Sequence, residues 1–196
     1  MLKNSMLSAA LAALLSAAGP AAMADTLYSA GATGALATPD AAPAASFSAL
    51  AGAGSLSLQL QGYATLDGDH FYIDILHITL NGTEVFTATF DLGGGGLDRV
   101  LLSPLGATAV KDSSTHTVDI VVPLSLAGGS NTLVIAYDSP TSFESVGRAG
   151  PQGLDDEGWG LNSVTVTGAV PEPATALLMF GGLGLVGWLA RRRSRA

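Results

Sequence analysis

Two short stretches bring together side chains that could hold a cation or work on a sugar. The first, YATLDGDHFYID, carries Asp67, Asp69 and Asp74. Asp-Gly-Asp before an apolar run reads as two carboxylates on one tight turn, facing the same volume, and oxygens of this kind suit a hard cation such as Ca²⁺. An EF-hand loop is excluded, because no Glu lies twelve positions on with a Gly in the middle. The second stretch, GLDDEGWGLNSVTV, carries Asp155, Asp156, Glu157, Trp159 and Asn162. Three consecutive acids repel one another unless a cation or hydrogen bonds offset the repulsion. Gly158 and Gly160 allow a tight backbone around Trp159, whose ring either caps a core or meets a ligand at the surface.

Other chemistries are poorly supplied. The chain has no cysteine, which removes disulfides, thiolate metal sites and a Cys nucleophile. His70 and His77 stand seven apart on what reads as one strand, so they point to opposite faces and do not pair as zinc ligands. No Gly-x-Ser-x-Gly is present. Gly93 to Gly96 lacks the Lys-Ser/Thr of a phosphate loop and reads as a hairpin loop. Adjacent acids on a turn make better ligands than an acid/base couple, which must face each other across roughly 5 to 10 Å.

The elements that position these residues follow a period of two. SLSLQLQ puts Leu56, Leu58 and Leu60 on one face. FYIDILHITL is apolar at Phe71, Ile73 and Ile75 and then changes phase to Leu76, Ile78 and Leu80, as a bulged strand or one covered on both sides would. Asn81-Gly82 follows, the strongest two-residue hairpin signal. Later runs offer Phe86, Ala88, Phe90 and Leu92; Val118, Ile120, Val122 and Leu124; Leu133, Ile135 and Tyr137; and Val164 with Val166. Many short strands between Gly and Pro breakers predict an all-β, jelly-roll-like antiparallel sandwich of eight or nine strands. Residues 31–54, rich in Ala, Gly and Pro, leave strand and loop both open.

Charge and hydropathy divide the 196 residues into three parts. Residues 1–24 read as a secretory signal peptide: Lys3, an apolar run from Met6 to Ala18, and Ala22-Met23-Ala24 before Asp25. Residues 25–168 read as the sandwich, with a net charge of roughly −12, which argues against nucleic-acid binding. Residues 169–196 hold Pro171-Glu172-Pro173, an apolar run from Ala174 to Ala190, and the basic cluster Arg191, Arg192 and Arg193. That run would span about 26 Å as a helix. A hydrocarbon core measures roughly 30 Å, so the glycine-rich run predicts a marginal transmembrane helix. The arginines after Trp188 would stay cytoplasmic.

The last three features, in order at the end of the chain, resemble the PEP-CTERM sorting signal of exported proteins from Gram-negative bacteria that make exopolysaccharide. The resemblance implies recognition of Pro171, Glu172 and Pro173 by an exosortase, a membrane transpeptidase, with Arg191 to Arg193 as the retention cluster. It implies Sec export, transient anchoring in the inner membrane, then the cell surface or matrix. Two prolines hold Glu172 in extended backbone, the form a protease-like site grips. The stretch from Gly62 to Thr167 resembles a β-sandwich found in PEP-CTERM proteins, through Asp67-Gly68, Asn81-Gly82 and Asp156 to Val164. Sandwiches of carbohydrate-binding modules and of laminin-G or MAM type often hold a structural Ca²⁺ between an early turn and the last strand. That likeness implies Asp67 or Asp69 meeting Asp156 or Glu157, with Trp159 a ligand contact and Asn162 a weaker donor. The functional expectation is a non-catalytic, exopolysaccharide-associated surface protein. A Ca²⁺-dependent carbohydrate-binding module is the alternative, using loops near Tyr63, Tyr72, Tyr137 or Trp159, and a glycan hydrolase stands third.

Overall fold

The computed structural model describes residues 24–38, 40–139, 157–169, 181–184 and 191. The chain divides into two compact units, Ala24–Ala169 and a second made of Met1–Met23 with Val170–Ala196. In the second unit, residues 181–184 and 191 are helical. Among the described residues no helix is long and apolar enough to cross a membrane. The predicted signal peptide up to Met23, the Pro-Glu-Pro and most of the predicted transmembrane helix lie outside the described residues.

The first unit is all β. Its strands are β1 (Ala24–Ala30), β2 (Leu36–Ala37), β3 (Asp40–Ala41), β4 (Ala45–Ala49), β5 (Gly52–Gly62), β6 (Leu66–Asp67) and β7 (Ile75–Leu80). They continue with β8 (Thr83–Thr89), β9 (Gly93–Gly95), β10 (Arg99–Leu102), β11 (Thr108–Asp112), β12 (Thr117–Leu126), β13 (Gly129–Asp138) and β14 (Gly158–Ala169). One sheet runs β1-β14-β5-β12-β11, with β2 also on β14; the other runs β10-β8-β7-β13-β3, with β4 also on β13. Eight strands carry the architecture. The pairs β1·β14, β4·β13, β5·β12 and β7·β8 are the rungs of one long antiparallel hairpin. Rolling that hairpin adds β14·β5 and β13·β7 and divides it into two sheets, the order of a jelly roll.

Alternation drives the roll. Leu56, Leu58 and Leu60 of β5, Val118, Ile120, Val122 and Leu124 of β12, and Val164 and Val166 of β14 are all buried from the first sheet. Leu76, Ile78, Phe86, Ala88, Leu133, Ile135 and Tyr137 meet them from the second. Each buried aliphatic side chain contributes about 1.5 to 3 kcal/mol relative to exposure. At the β7–β8 turn, Asn81 and Gly82 take φ of 53° and 77°, the left-handed pair a type I′ turn requires.

Two expectations change, and one stretch that the sequence left open takes a definite form. FYIDILHITL is not one strand: β7 begins only at Ile75, and Phe71 to Asp74 is a loop. The phase change is therefore a strand start rather than a bulge, and His70 and His77 do not share a strand. Gly93 to Gly95 is no hairpin loop; it is β9, paired in parallel with β6. In the Ala-rich opening, Ala45–Ala49 forms β4 on β13, and residues 31–35 are loop.

Gly160 marks the tightest approach of a glycine to neighbouring backbone among the described residues. A Cβ there would lie 2.3 Å from the Gly34 carbonyl oxygen and 2.9 Å from the Tyr63 ring. Gly160→Ala should destabilise the sandwich by about 1 to 3 kcal/mol, because the first clash is with backbone. Urea denaturation checks this, and a midpoint equal to that of the parent chain would refute it.

Candidate functional site

Strand register carries four polar residues to one end of the sandwich. In the first sheet Gly158 pairs with Ala37, so the next residues outward, Glu157 and Thr38, are neighbours. In the second, Asp138 pairs with Ile75, so the next outward are Ser139 and Asp74. The two pairs meet. Thr38 Oγ1 donates to Glu157 Oε2 at 2.7 Å, and Ser139 Oγ lies 2.7 Å from the same oxygen, 3.0 Å from Thr38 Oγ1 and 2.5 Å from Asp74 Oδ1. Asp67 joins them from β6. Its N–H donates to Asp74 Oδ2 at 2.7 Å, and the Asp74 N–H returns to the Asp67 carbonyl at 3.0 Å. The Thr89 hydroxyl also donates to that carbonyl at 3.0 Å. Asp67, Asp74 and Glu157 are all buried and can place one carboxylate oxygen each within 4.8 Å of one another.

Aromatic rings floor the cluster. Tyr137, two residues before Ser139, packs on Trp159, two residues after Glu157, with ring centroids 5.4 Å apart. Trp159 is 0% exposed and its Nε1–H donates to the Ala37 carbonyl at 3.2 Å. Burial, with Asp74 close by, pushes the Tyr137 phenol well above its ordinary range. The Tyr137 hydroxyl is buried and has no hydrogen-bond partner among the described residues.

Three carboxylates cannot all be ionised in so small a buried volume. A count of protons shows that one yields, and burial points to Asp74. Thr38 and Ser139 supply one hydroxyl proton each to three carboxyl contacts, Thr38–Glu157, Ser139–Glu157 and Ser139–Asp74. Ser139 Oγ can donate to Asp74 Oδ1 or to Glu157 Oε2 but not to both, so one carboxyl contact has to be filled by a carboxyl proton. Consistent with that count, burial pushes the Asp74 carboxyl up to about 7, with Glu157 and Asp67 adding to the rise against the opposing bonds from the Asp67 N–H and Ser139.

The structure brings together only part of the predicted ligand set. Asp67 and Glu157 meet as expected. Asp69 does not: its carboxylate is ion-paired to Arg99, and its N–H donates to the Leu97 carbonyl at 2.8 Å. Asp67 instead turns into the sandwich, beneath Gly94. Asp156 lies outside the described residues. Trp159 is a core ring, unable to touch a ligand, because pairing of β14 with both β2 and β5 encloses it. Tyr137 is buried as well, on β13 between β7 and β3, whereas Tyr63 is exposed and Tyr72 half-buried. Asn162 faces away, donating to Gln59 Oε1 at 2.9 Å and Gln61 Oε1 at 3.2 Å. Thr38 and Ser139 join the site unannounced, whereas Asp74, named with Asp67 and Asp69 in the first acidic stretch, stands outside the expected ligand set. Asp74 is the one a sequence signal could have found, since an Asp among apolar residues requires a partner if its segment is buried.

Residues 169–194 match the PEP-CTERM protein-sorting motif. The chain thus carries a sorting signal that implies export, anchoring through its C-terminal region and processing by an exosortase. No curated protein matches the chain. Among solved structures it is similar to the CBM36-1 domain of a multidomain xylanase from the hindgut metagenome of Trinervitermes trinervoides. The identity is 9%, the TM-score 0.39, and the match covers 76% of this chain and 100% of that one. At that similarity the two chains need share neither site nor ligand.

Folded Asp74 keeps its proton to about pH 7, while the unfolded chain releases it near 3.8. Between those values the folded state binds more protons, so this group's contribution to stability falls as pH rises through the interval. Asp74→Asn, neutral at every pH, should show a flatter stability profile from pH 4 to 7 than the parent chain. Equal slopes in paired urea titrations would refute the assignment.

Proposed function

We propose that the protein is an exported, non-catalytic surface or matrix protein, released from its membrane anchor by an exosortase and associated with exopolysaccharide. The sorting motif at residues 169–194 carries this reading. The domain order that goes with it is a signal peptide over 1–24, the sandwich over 25–168 as cargo, and the sorting segment over 169–196. Arg191 to Arg193 hold the anchor on the cytoplasmic side until Pro171-Glu172-Pro173 is recognised. Replacing those three residues by alanine should leave the protein at full length in the inner membrane of a host with an active exosortase. Immunoblots of membrane and medium fractions test it; unchanged size and release would overturn the reading.

A second reading, a Ca²⁺-dependent carbohydrate-binding module, is favoured by one observation. Asp67, Asp74 and Glu157 offer three hard oxygens in one buried volume, and a proton on Asp74 relieves their repulsion. Ca²⁺ would relieve it as well, held by those three carboxylates, with structural rather than catalytic effect. Their closeness and burial favour holding an ion over hydrolysis, which needs room for a sugar and water between two acids. Proton and cation would compete, so Ca²⁺ should raise the melting temperature more at pH 7.5 than at pH 5. At a hundredfold excess over the dissociation constant the gain is roughly 2.7 kcal/mol. For a domain of this size that is roughly 5–10 °C. No shift between millimolar Ca²⁺ and chelator would end this reading.

A further inference from the structure

Away from the carboxylate cluster, an open polar pocket of about 320 Å³ is lined by Asp91, Gly93, Gly94, Gly95, Ser113 and His116. Its floor is bare backbone. A Cβ on Gly93 would stand 3.5 Å from His116 Cε1, and one on Gly95 would stand 3.7 Å from His70 Nε2. The two imidazoles therefore flank the glycine strand. Asp91 Oδ1 accepts from the N–H groups of Gly93 at 3.1 Å and Gly95 at 2.9 Å. Partial burial opposes the Asp91 charge, but those N–H groups, with Lys111 and His116, hold its carboxyl below the usual range. Exposed Ser113 and His116 make no side-chain hydrogen bond to another described residue.

His116 has a left-handed backbone, φ 53°, at the end of the β11–β12 turn. Glycine takes that conformation without steric cost, so a turn alone would be better served by glycine. The imidazole is what this position gains. Beyond His70 the surface continues into aromatic rings: His70 packs edge-on to Tyr72 at 5.9 Å, and Tyr72 to Phe71 at 5.0 Å. Phe71 is 72% exposed.

From these features we propose a glycan-binding strip that needs no metal. One sugar's hydroxyls would be held by Asp91, Ser113 and His116 over the glycine floor, and the apolar face of a further sugar would lie on Phe71. Electrostatics select a neutral, polyhydroxylated ligand. An anion would meet Asp91 and Asp98. Lys111, whose ammonium lies 2.8 Å from Asp98 Oδ1 and 4.0 Å from Asp91 Oδ2, already offsets part of that negative charge, so a cationic ligand gains less there. An open rim suits an extended polymer rather than an enclosed small molecule.

This strip deepens the exopolysaccharide association proposed above and rests on it. The test is affinity electrophoresis of the full chain in neutral detergent with EDTA, through gels containing dextran, mannan or galactan, together with two variants. At least one polysaccharide should retard the parent chain. His116→Gly should weaken retardation about three- to tenfold while leaving the melting temperature unchanged or higher. Phe71→Ala should weaken it about tenfold. If the parent is retarded and both variants match it, the strip is wrong and glycan association stands. If none of the three polymers retards the parent, both fail.

Discussion

Three carboxylates occupy one buried corner where the two sheets meet, and they cannot all be charged. Thr38 and Glu157 extend the β2–β14 pairing of one sheet; Asp74 and Ser139 extend the β13–β7 pairing of the other. Bonds among them therefore join sheet to sheet, which alternating leucines and valines do less specifically. Apolar contacts tolerate sliding, but hydrogen bonds at 2.7 Å do not. The cluster sets the register at this end, and Trp159 against Tyr137 seals it from below. The arrangement is costly: buried polar groups stabilise only while fully satisfied. Two hydroxyl protons cannot fill three carboxyl contacts, so a proton on Asp74, the carboxyl that burial pushes up, or a cation in its stead relieves the corner.

The same corner explains why the last strand can be both central and terminal. β14 lies between β1 and β5, so its residues are covered on both edges. Its end, Ala169, pairs with Ala24 at the start of β1. The two ends of the folded unit are thus neighbours across one ladder, and the sorting motif follows directly from that ladder's last residue.

Much of the sandwich was legible because alternation is local. Leu56, Leu58 and Leu60 announce their face without reference to any other segment, and Asn81-Gly82 states its own turn. The site was less legible because its members are distant in sequence: Thr38 and Glu157 are separated by 119 positions, and their meeting follows from pairings that only the roll creates. Pairing Asp67 with Asp69 failed for a local reason. A tight turn sets two neighbouring carboxylates near each other, but Arg99 draws Asp69 outward while the Asp74 loop draws Asp67 inward. Reading Phe71 to Leu80 as a single strand hid that loop. It takes the reciprocal bonds between Asp67 and Asp74 to hold the backbone out of strand geometry until Ile75.

The glycine run links the buried corner to the open pocket. A Cβ on Gly94 would lie 2.1 Å from Asp67 Oδ1, so only glycine lets that carboxylate turn beneath β9. Gly68 likewise donates to the Gly95 carbonyl at 2.7 Å, holding β6 and β9 side by side. Gly94 thus covers Asp67, and Gly93 and Gly95 form the floor beside His116 and His70, whose Nε2 lies 3.9 Å from Asp67 Oδ1. A change in charge at the corner, whether by proton or by cation, would act on Asp67 and through it on the same three glycines. Two adjacent demands, close approach to a carboxylate below and an unobstructed surface above, account for a run of glycines that neither a phosphate loop nor a hairpin explains.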